Sequence, residues 1–279
     1  MTLPAPRMPR TAVVTGAAGA FGSATSTALR ERGVQVIGLD RAAGPDVVLA
    51  DLTDTASVEA GLAEAVGRLG GQVDLLVHFA GIGPAVDVGA PPGPEVTEAL
   101  EVNLLGAWRV TAAALPALTA APGRARVVLV ASLLANLSVP FAGAYSVSKR
   151  ALTAYADSLR LEYADQLAVS TLLPGYVDTP IHARSRAAGV ALDGLVPPER
   201  VEDIVAAVLR IAWSPRPPRQ VAATRTGNAT RLAAQHAPGL VERVVSAQTG
   251  KLLRSGRLSG APLSDAMRAR RTRAQEVSR

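Results

Sequence analysis

A tyrosine and a lysine four residues apart give the strongest chemical signal in this sequence. Tyr145 and Lys149 bound the segment Tyr-Ser-Val-Ser-Lys, and on a helix this spacing places both side chains on one face. A free tyrosine has a pKa of about 10 and is a poor base at neutral pH. Lowering that pKa by ~3 units requires about 4 kcal/mol, and one cation ~5 Å away supplies roughly 3 kcal/mol at an effective dielectric of ~20. With a second positive charge nearby, Lys149 is therefore expected to make Tyr145 a proton-transfer residue; ordinary pairing on a helix surface is the alternative.

Ser132 extends this constellation, because it stands 13 residues before Tyr145 at the end of a predicted strand. The carboxyl ends of parallel strands are where such sheets bind ligands. The hydroxyl could hold the oxygen atom that Tyr145 protonates or deprotonates. The alternative is a serine that hydrogen-bonds only to its own backbone.

A glycine-rich loop near the N-terminus predicts a phosphate site. The run Thr-Gly-Ala-Ala-Gly-Ala-Phe-Gly over 15–22 joins a predicted strand to a predicted helix. Glycine lets backbone N–H groups approach a pyrophosphate, and the helix N-terminus adds partial positive charge. The alternative is a tight turn that binds nothing.

An acidic residue follows this loop at the spacing of a ribose contact. Asp40 ends the second predicted strand, where a carboxylate can accept hydrogen bonds from both adenosine ribose hydroxyls. It would repel a 2′-phosphate and so favours NAD over NADP, although Arg41 could offset that repulsion. An ordinary solvated loop acid remains the alternative.

The elements that must position these residues alternate between strand and helix. Apolar runs predict strands at 11–15, 34–39, 47–49, 74–79, 126–132, 168–173 and 220–223, and the intervening periodicity predicts helices, among them 19–32, 55–69, 94–114, 145–166 and 198–213. This alternation requires right-handed crossovers, so we expect an α/β fold with a doubly wound parallel sheet, Rossmann-like, in a single domain. We expect an extension over 1–9, the domain over 10–253 and a basic, flexible tail over 254–279.

Composition excludes several classes of protein. No cysteine is present, which removes disulfides and thiol chemistry, and three histidines make a metal site improbable. The segment from residue 251 onward contains eight basic and two acidic residues. Its local charge of +6 equals the net charge of the chain. The body is neutral and aromatic residues are only 3%, so nucleic acid is not an expected partner. Because neither a membrane segment nor a signal peptide is evident, cytoplasmic residence is expected.

Together these motifs resemble the short-chain dehydrogenase/reductase family over about residues 10–225. The resemblance implies that Ser132, Tyr145 and Lys149 are catalytic, that Asn103 holds a water in a proton relay, and that Lys149 also binds the nicotinamide ribose. It implies an acid near the adenine at Asp51, for which a helix cap is the alternative, and a Pro-Gly turn whose Thr179 contacts the carboxamide. The implied cofactor contacts are Gly16, Gly19, Ala20, Phe21, Gly22, Asp40, Arg41, Asp51, Leu52, Ala80, Gly81, Tyr145, Lys149, Pro174, Gly175, Val177 and Thr179.

Two departures from the family pattern stand out. The classical branch has glycine where this chain has Ala20, and the glycines at 16, 19 and 22 resemble the extended branch. His78-Phe79-Ala80-Gly81 likewise replaces the usual Asn-Asn-Ala-Gly. The spacing from Ser132 to Tyr145, the Pro-Gly turn and the chain length match the classical branch. We therefore expect a classical-like enzyme with an atypical phosphate loop.

The remaining expectations concern the substrate and partners. Residues 181–196 correspond to the family's substrate lid, and their apolar members suggest a steroid-, terpenoid- or lipid-like alcohol or ketone, although they could simply pack on the body. His78 is expected to be structural and His182 exposed. The family implies a homodimer or homotetramer. The expected activity is hydride transfer between NAD(H) and a secondary alcohol or ketone; the alternatives are an NADPH-dependent ketoreductase and a dinucleotide-sensing protein without catalysis.

Overall fold

Seven short strands, each built from a mainly apolar run, form the centre of the molecule. The computed structural model describes residues 3–190, 198–255 and 262–277. All residues of the fourth to sixth strands are buried, as expected for strands covered on both faces. The strands are β1 (Thr11–Thr15), β2 (Gln35–Asp40), β3 (Val47–Leu49), β4 (Leu75–His78), β5 (Ala125–Val130), β6 (Leu167–Leu173) and β7 (Gln220–Ala222).

The sheet is parallel throughout and has the order β3-β2-β1-β4-β5-β6-β7. The chain moves outward from β1 to β3, then returns to the other side of β1 and continues to β7. The direction of winding therefore reverses between β1 and β4, and such a switch point leaves a crevice at the carboxyl ends of the strands. The predicted doubly wound, Rossmann-like fold is confirmed.

Helices cover both faces of the sheet. On one face, Leu62, Val110 and Leu152 of the second, fourth and fifth helices pack in one buried cluster. On the other, Leu29 and Val208 of the first and seventh helices pack in a second cluster. The helices are α1 (Ala20–Arg30), α2 (Thr55–Arg68), α3 (Pro94–Leu100), α4 (Ala107–Thr119), α5 (Gly143–Glu162), α6 (Ala183–Ala187), α7 (Val201–Trp213), α8 (Arg225–His236), α9 (Pro238–Arg254) and α10 (Pro262–Val277).

The sequence-based assignment differs from the structure in several places. The helix predicted over 94–114 is α3, a π-helical turn (Glu101–Gly106) and α4, and it extends to Thr119. Helix α8 was not predicted. In the segment predicted to be a basic, flexible tail, residues 262–277 form a helix, and Arg270 on that helix donates to Asp87 over 2.9 Å and 3.3 Å. None of the helices in the described part of the chain combines the length and hydropathy that a membrane span needs.

A buried carboxylate joins the N-terminal segment to the sheet. It lies at the edge of the sheet opposite the crevice. Asp74 is 2% exposed and accepts hydrogen bonds from the backbone of Arg10 and Thr11. The Arg7 guanidinium lies 3.1 Å from the same carboxylate and donates to the carbonyls of Ala121, Val73 and Leu118. The segment before β1 is therefore held against the amino ends of β1 and β4.

Removing this carboxylate should destabilise the fold markedly. Asp74→Ala leaves Arg7 without its partner in a buried position, and breaking a buried pair costs about 3 kcal/mol or more. Asp178→Ala is the matched control, because its ion pair with Arg186 is exposed and such pairs contribute about 0–1 kcal/mol. Urea unfolding of the two variants measures the difference, and equal losses would contradict this role for Asp74.

Candidate functional site

A cavity of about 400 Å³ opens at the carboxyl edge of the sheet, above the switch point. Every residue for which the sequence predicted a cofactor contact lines this cavity, as does Ser132. Asn103 is not among the lining residues and lies behind the wall. The structure therefore brings residues from the ends of six strands, β1 to β6, to one crevice.

The glycine loop fits tightly against the segment that follows β4. Gly16 has a φ of +68°, and a Cβ there would lie 2.7 Å from the backbone nitrogen of Ala80. A Cβ on Gly22 would collide with the Gly16 carbonyl. These two positions therefore require glycine, and they create the close backbone cradle that a pyrophosphate needs.

The departure at Ala20 is accommodated without distortion. Ala20 is the first residue of α1 and is exposed, while Gly19 precedes the helix and donates its N–H to the Gly16 carbonyl over 3.1 Å. Asp40 supports the same loop, because its carboxylate accepts the N–H groups of Ala18 and Ala42 at 3.0 Å each. The carboxylate that could bind ribose is thus already oriented by the phosphate loop.

Asp51 lies at the same end of the cavity, with its carboxylate turned back on its own chain. Its Oδ1 accepts hydrogen bonds from the N–H and the hydroxyl of Thr53 at 2.9 Å and 2.8 Å. These bonds, with a smaller contribution from the charge of Arg41, lower the pKa of Asp51. The N-cap of α2 is Asp54, so the alternative role of Asp51 as a helix cap is wrong.

Tyr145, Lys149 and Ser132 converge on the central part of the cavity. The Lys149 ammonium lies 5.7 Å from the centre of the Tyr145 ring and donates to the Val130 carbonyl over 3.0 Å. The Ser132 hydroxyl acts on the Tyr145 phenol and lowers its pKa, and Ser132 Oγ also accepts the N–H of Leu134 at 3.1 Å. The backbone bond proposed as the alternative for Ser132 is therefore present together with the contact to Tyr145.

The expected acidification of Tyr145 does not arise from the protein alone. Desolvation raises the pKa of Tyr145 to about 12, and the hydrogen bond with Ser132 opposes that rise only in part. Burial also lowers the pKa of Lys149 to about 8. Burial therefore disfavours the positive charge that was expected to act on the phenol. Burial outweighs one neighbouring charge, so a lowered pKa of Tyr145 still requires the second positive charge on which the prediction depended.

Asn103 fixes the backbone beside the reactive pair. It lies in the π-helical turn, and its side chain accepts the Ile82 N–H at 2.8 Å and donates to the Ile82 carbonyl and the Ser148 hydroxyl at 2.9 Å each. A Cβ on Gly81 would lie 3.1 Å from Asn103 Oδ1 and 3.2 Å from Lys149 Nζ. A small space therefore joins the amide and the amine, and glycine at 81 keeps it open.

The Pro-Gly turn after β6 closes the far side of the cavity. The Pro174 carbonyl accepts the Leu133 N–H at 2.8 Å, and Gly175 donates to the Glu199 carboxylate over 2.7 Å. Val177 and Thr179 are buried in this turn. The turn is thus attached both to the Ser132 loop and to the start of α7.

The two histidines named from sequence have different outcomes. His78 is buried, its Nε2 lies 2.9 Å from the Thr111 hydroxyl, and burial lowers its pKa to about 3, which agrees with a structural role. His182 was expected to be exposed, and this was wrong. It is partly buried because its ring stacks on Tyr176, with ring centres 4.7 Å apart.

Several lining residues carried no recognisable motif in the sequence. They come from loops and short turns, where neither periodicity nor a strand end indicates them: Ile82, Gly83, Leu134 and Val139.

We define the lid as residues 180–190, which follow the Pro-Gly turn. A Cβ on Gly83 would lie 3.4 Å from the Ile181 carbonyl, so the lid rests on the segment beside Tyr145. Arg184 lines the cavity and forms an ion pair with Glu98 of α3. Of the predicted lid, Leu192, Asp193, Leu195 and Val196 lie outside the described residues.

Comparison with known proteins agrees with this geometry. The family model for short chain dehydrogenase matches residues 10–189. A 1-deoxy-11-beta-hydroxypentalenate dehydrogenase from Streptomyces avermitilis is 37% identical over 194 residues, which cover 62% of this chain and 70% of that protein.

Solved structures give the same result. A short chain dehydrogenase from Burkholderia cenocepacia in complex with NADP superposes with a TM-score of 0.72 at 25% identity, covering 86% of this chain and 99% of that one. The fold is also that of a 3-ketoacyl-(acyl-carrier-protein) reductase from Brucella melitensis complexed with NADH, with a TM-score of 0.68 at 22% identity over 79% of this chain and 100% of that one. The chain therefore belongs to the short-chain dehydrogenase/reductase family and is an NAD(P)-dependent oxidoreductase.

Proposed function

We propose that this enzyme transfers a hydride between NAD(H) and a hydrophobic secondary alcohol or ketone. The observation that carries the proposal is the convergence of Ser132, Tyr145 and Lys149 on one cavity with the glycine loop. Hydroxyl, phenol and amine are the groups that hold a carbonyl oxygen, exchange its proton and stabilise the resulting charge.

The chain's own residues divide the work at the substrate oxygen. Ser132 donates a hydrogen bond to that oxygen and holds it next to the Tyr145 phenol. In reduction the phenol gives its proton to the oxygen, and in oxidation the phenolate removes it. Lys149 stabilises the phenolate, and Asn103 with Gly81 keeps the space through which the proton is replaced. When bound, the nicotinamide ring accepts or supplies the hydride at its C4 atom.

The residues that would hold the cofactor follow from the shape of the cavity. The backbone of Gly16, Gly19 and Gly22 would bind the pyrophosphate at the N-terminus of α1. Asp40 would accept hydrogen bonds from the ribose, and its negative charge supports NAD as the cofactor. NADP is the second candidate, because Arg41 also lines this end of the cavity.

An apolar wall supports a hydrophobic substrate. Ile82, Leu134, Val139 and Ile181 line the cavity near Tyr145, and His182 stacked on Tyr176 adds a flat surface. The name of the Streptomyces avermitilis relative, a pentalenate dehydrogenase, points to a terpenoid-like substrate. We therefore place steroid-, terpenoid- and lipid-like alcohols first in any substrate panel.

We also propose that α4 and α5 pair between subunits of a homodimer or homotetramer. Trp108 stacks on Tyr155 with ring centres 4.5 Å apart and is 50% exposed, and Val147 and Leu161 on α5 are 58% and 81% exposed. Large exposed apolar side chains on neighbouring helices are typical of interaction surfaces.

Tyr145→Phe should abolish turnover and leave dinucleotide binding intact. The variant removes one oxygen atom, and loss of a general acid–base group costs about 10²–10⁴-fold in rate. Turnover of a panel of hydrophobic alcohols and ketones, with the dissociation constant of NADH measured in parallel, tests this. A variant that keeps full turnover would overturn the assignment, and wild-type protein that binds NADH but turns over nothing would favour the sensor.

NADH should bind more tightly than NADPH, because the Asp40 carboxylate would repel a 2′-phosphate. Asp40→Ser should shift the preference toward NADPH by roughly tenfold, the effect of about 1.4 kcal/mol. Fluorescence titration of the wild type and of Asp40→Ser, each with NADH and with NADPH, gives the four dissociation constants. Tighter NADPH binding by the wild type would reassign the cofactor.

Before any dinucleotide is added, Tyr145 should ionise only above the ordinary range of tyrosine. Its folded pKa of about 12 exceeds the unfolded value of about 10, so its contribution to stability is complete below pH ~10 and is lost as the pH rises toward 12. Tyrosinate absorbance of wild type and Tyr145→Phe should be identical up to pH ~11. Addition of NAD⁺ should move the difference to lower pH, and a difference at or below pH ~10 without NAD⁺ would contradict the dominance of burial.

A further inference from the structure

The lid is joined to the opposite wall of the cavity by one forked ion pair. Arg184 Nη1 donates to Glu98 Oε2 over 2.6 Å, and Nη2 donates to Oε1 over 3.0 Å. Arg184 belongs to α6, which follows the Pro-Gly turn, and Glu98 belongs to α3. The pair therefore connects two elements that approach the cavity from different strands.

The sheet order shows where this connection lies. The lid follows β6 and α3 follows β4, so the pair passes over the end of β5, which lies between them. Arg184 itself lines the cavity, as does Val102, one turn beyond Glu98. The next strand beyond β4 is β1, from which the glycine loop begins. The guanidinium thus reaches from the β6 side of the cavity toward α3, the helix that follows β4, and β4 is the strand next to β1.

Among the described residues that line the cavity, the other lysine and arginine side chains are Lys149 and Arg41. Lys149 is buried and bound to the Val130 carbonyl, and Arg41 follows β2 at the ribose end. A guanidinium fork that fits a carboxylate also fits two oxygens of a phosphate. The side chains of Arg184 and Glu98 are 50% and 36% exposed, and ion pairs this exposed contribute little net stability, so exchanging the partner is cheap.

We propose that Arg184 is a dinucleotide-binding residue for which Glu98 competes. In this structure the Glu98 carboxylate occupies the fork, and on binding a phosphate oxygen of the dinucleotide replaces it. This inference rests on the dinucleotide binding proposed above and adds a specific cation to it. It makes Glu98 a residue that weakens cofactor binding, although it is not part of the cavity lining.

Titration of the full-length protein with ADP-ribose, AMP and adenosine tests the exchange, because these probes carry two, one and no phosphates. Arg184→Gln should weaken the binding of ADP-ribose roughly tenfold, which is the effect of a lost charged hydrogen bond. It should leave the affinity for adenosine unchanged. Arg184→Lys, which keeps the charge without the fork, should fall between. Glu98→Gln should strengthen the binding of ADP-ribose about threefold.

Glu101→Gln is the matched control for charge. Glu101 follows α3 by one residue, and its partner Arg109 is on the same helical run at 2.8 Å, so its loss removes the same charge without freeing Arg184. If Glu98→Gln and Glu101→Gln strengthened the binding of ADP-ribose equally, the effect would come from the overall charge of the protein. That result would overturn the proposed exchange.

Two further results would overturn the proposal. Weakening by both Glu98→Gln and Arg184→Gln would show a latch that closes the lid, not a competition for the guanidinium. Unchanged ADP-ribose affinity in Arg184→Gln would remove the contact altogether, while the dinucleotide function would stand. If the wild type bound neither ADP-ribose nor NADH, the proposed function itself would fail and this inference with it.

Discussion

The hydrogen bond from the buried Lys149 ammonium to the Val130 carbonyl is the contact on which the site depends. It attaches α5 to the last residue of β5, over 3.0 Å, two residues before Ser132. Because Tyr145 lies one turn before Lys149 on the same helix, this single bond brings the phenol to the serine at the end of the strand. The cost is desolvation of an amine, which appears as the lowered pKa of Lys149.

From the pKa values of this pair we expect chemistry that depends on the bound cofactor. The Tyr145 phenol has a pKa of about 12 and therefore does not ionise near neutral pH in the protein alone. Its neighbour, the Lys149 amine, has a pKa of about 8. An oxidised nicotinamide brings the second positive charge that the balance requires. Catalytic readiness would then arise only in the complex, which protects the protein from holding an unstable buried phenolate.

Much of the fold and of the site could be predicted from sequence because it depends on local pattern. Apolar runs indicated the strands, and all the positions that the family motifs predicted to contact a cofactor line one cavity. The balance between burial and charge at Tyr145 could not be predicted, since the pKa depends on packing from several elements. Nor could local pattern indicate the stacking of His182 on Tyr176 or the pairing of Arg184 with Glu98, because the first needs the folded turn and the second joins segments far apart in the chain. Cytoplasmic residence, the domain boundaries and the residue roles remain predictions.

The π-helical turn between α3 and α4 has a consequence for changes in chain length. A turn of this kind accommodates one extra residue within a helix, and each residue added or removed rotates the remainder of the helix by about 100°. Here the turn allows Asn103 to face Ile82 while Trp108, on the same helical run, points outward. A single-residue deletion that converted it to a regular helix would put the amide and the indole out of phase. The buried face that carries Asn103 and the exposed face that carries Trp108 are therefore set by the same inserted residue.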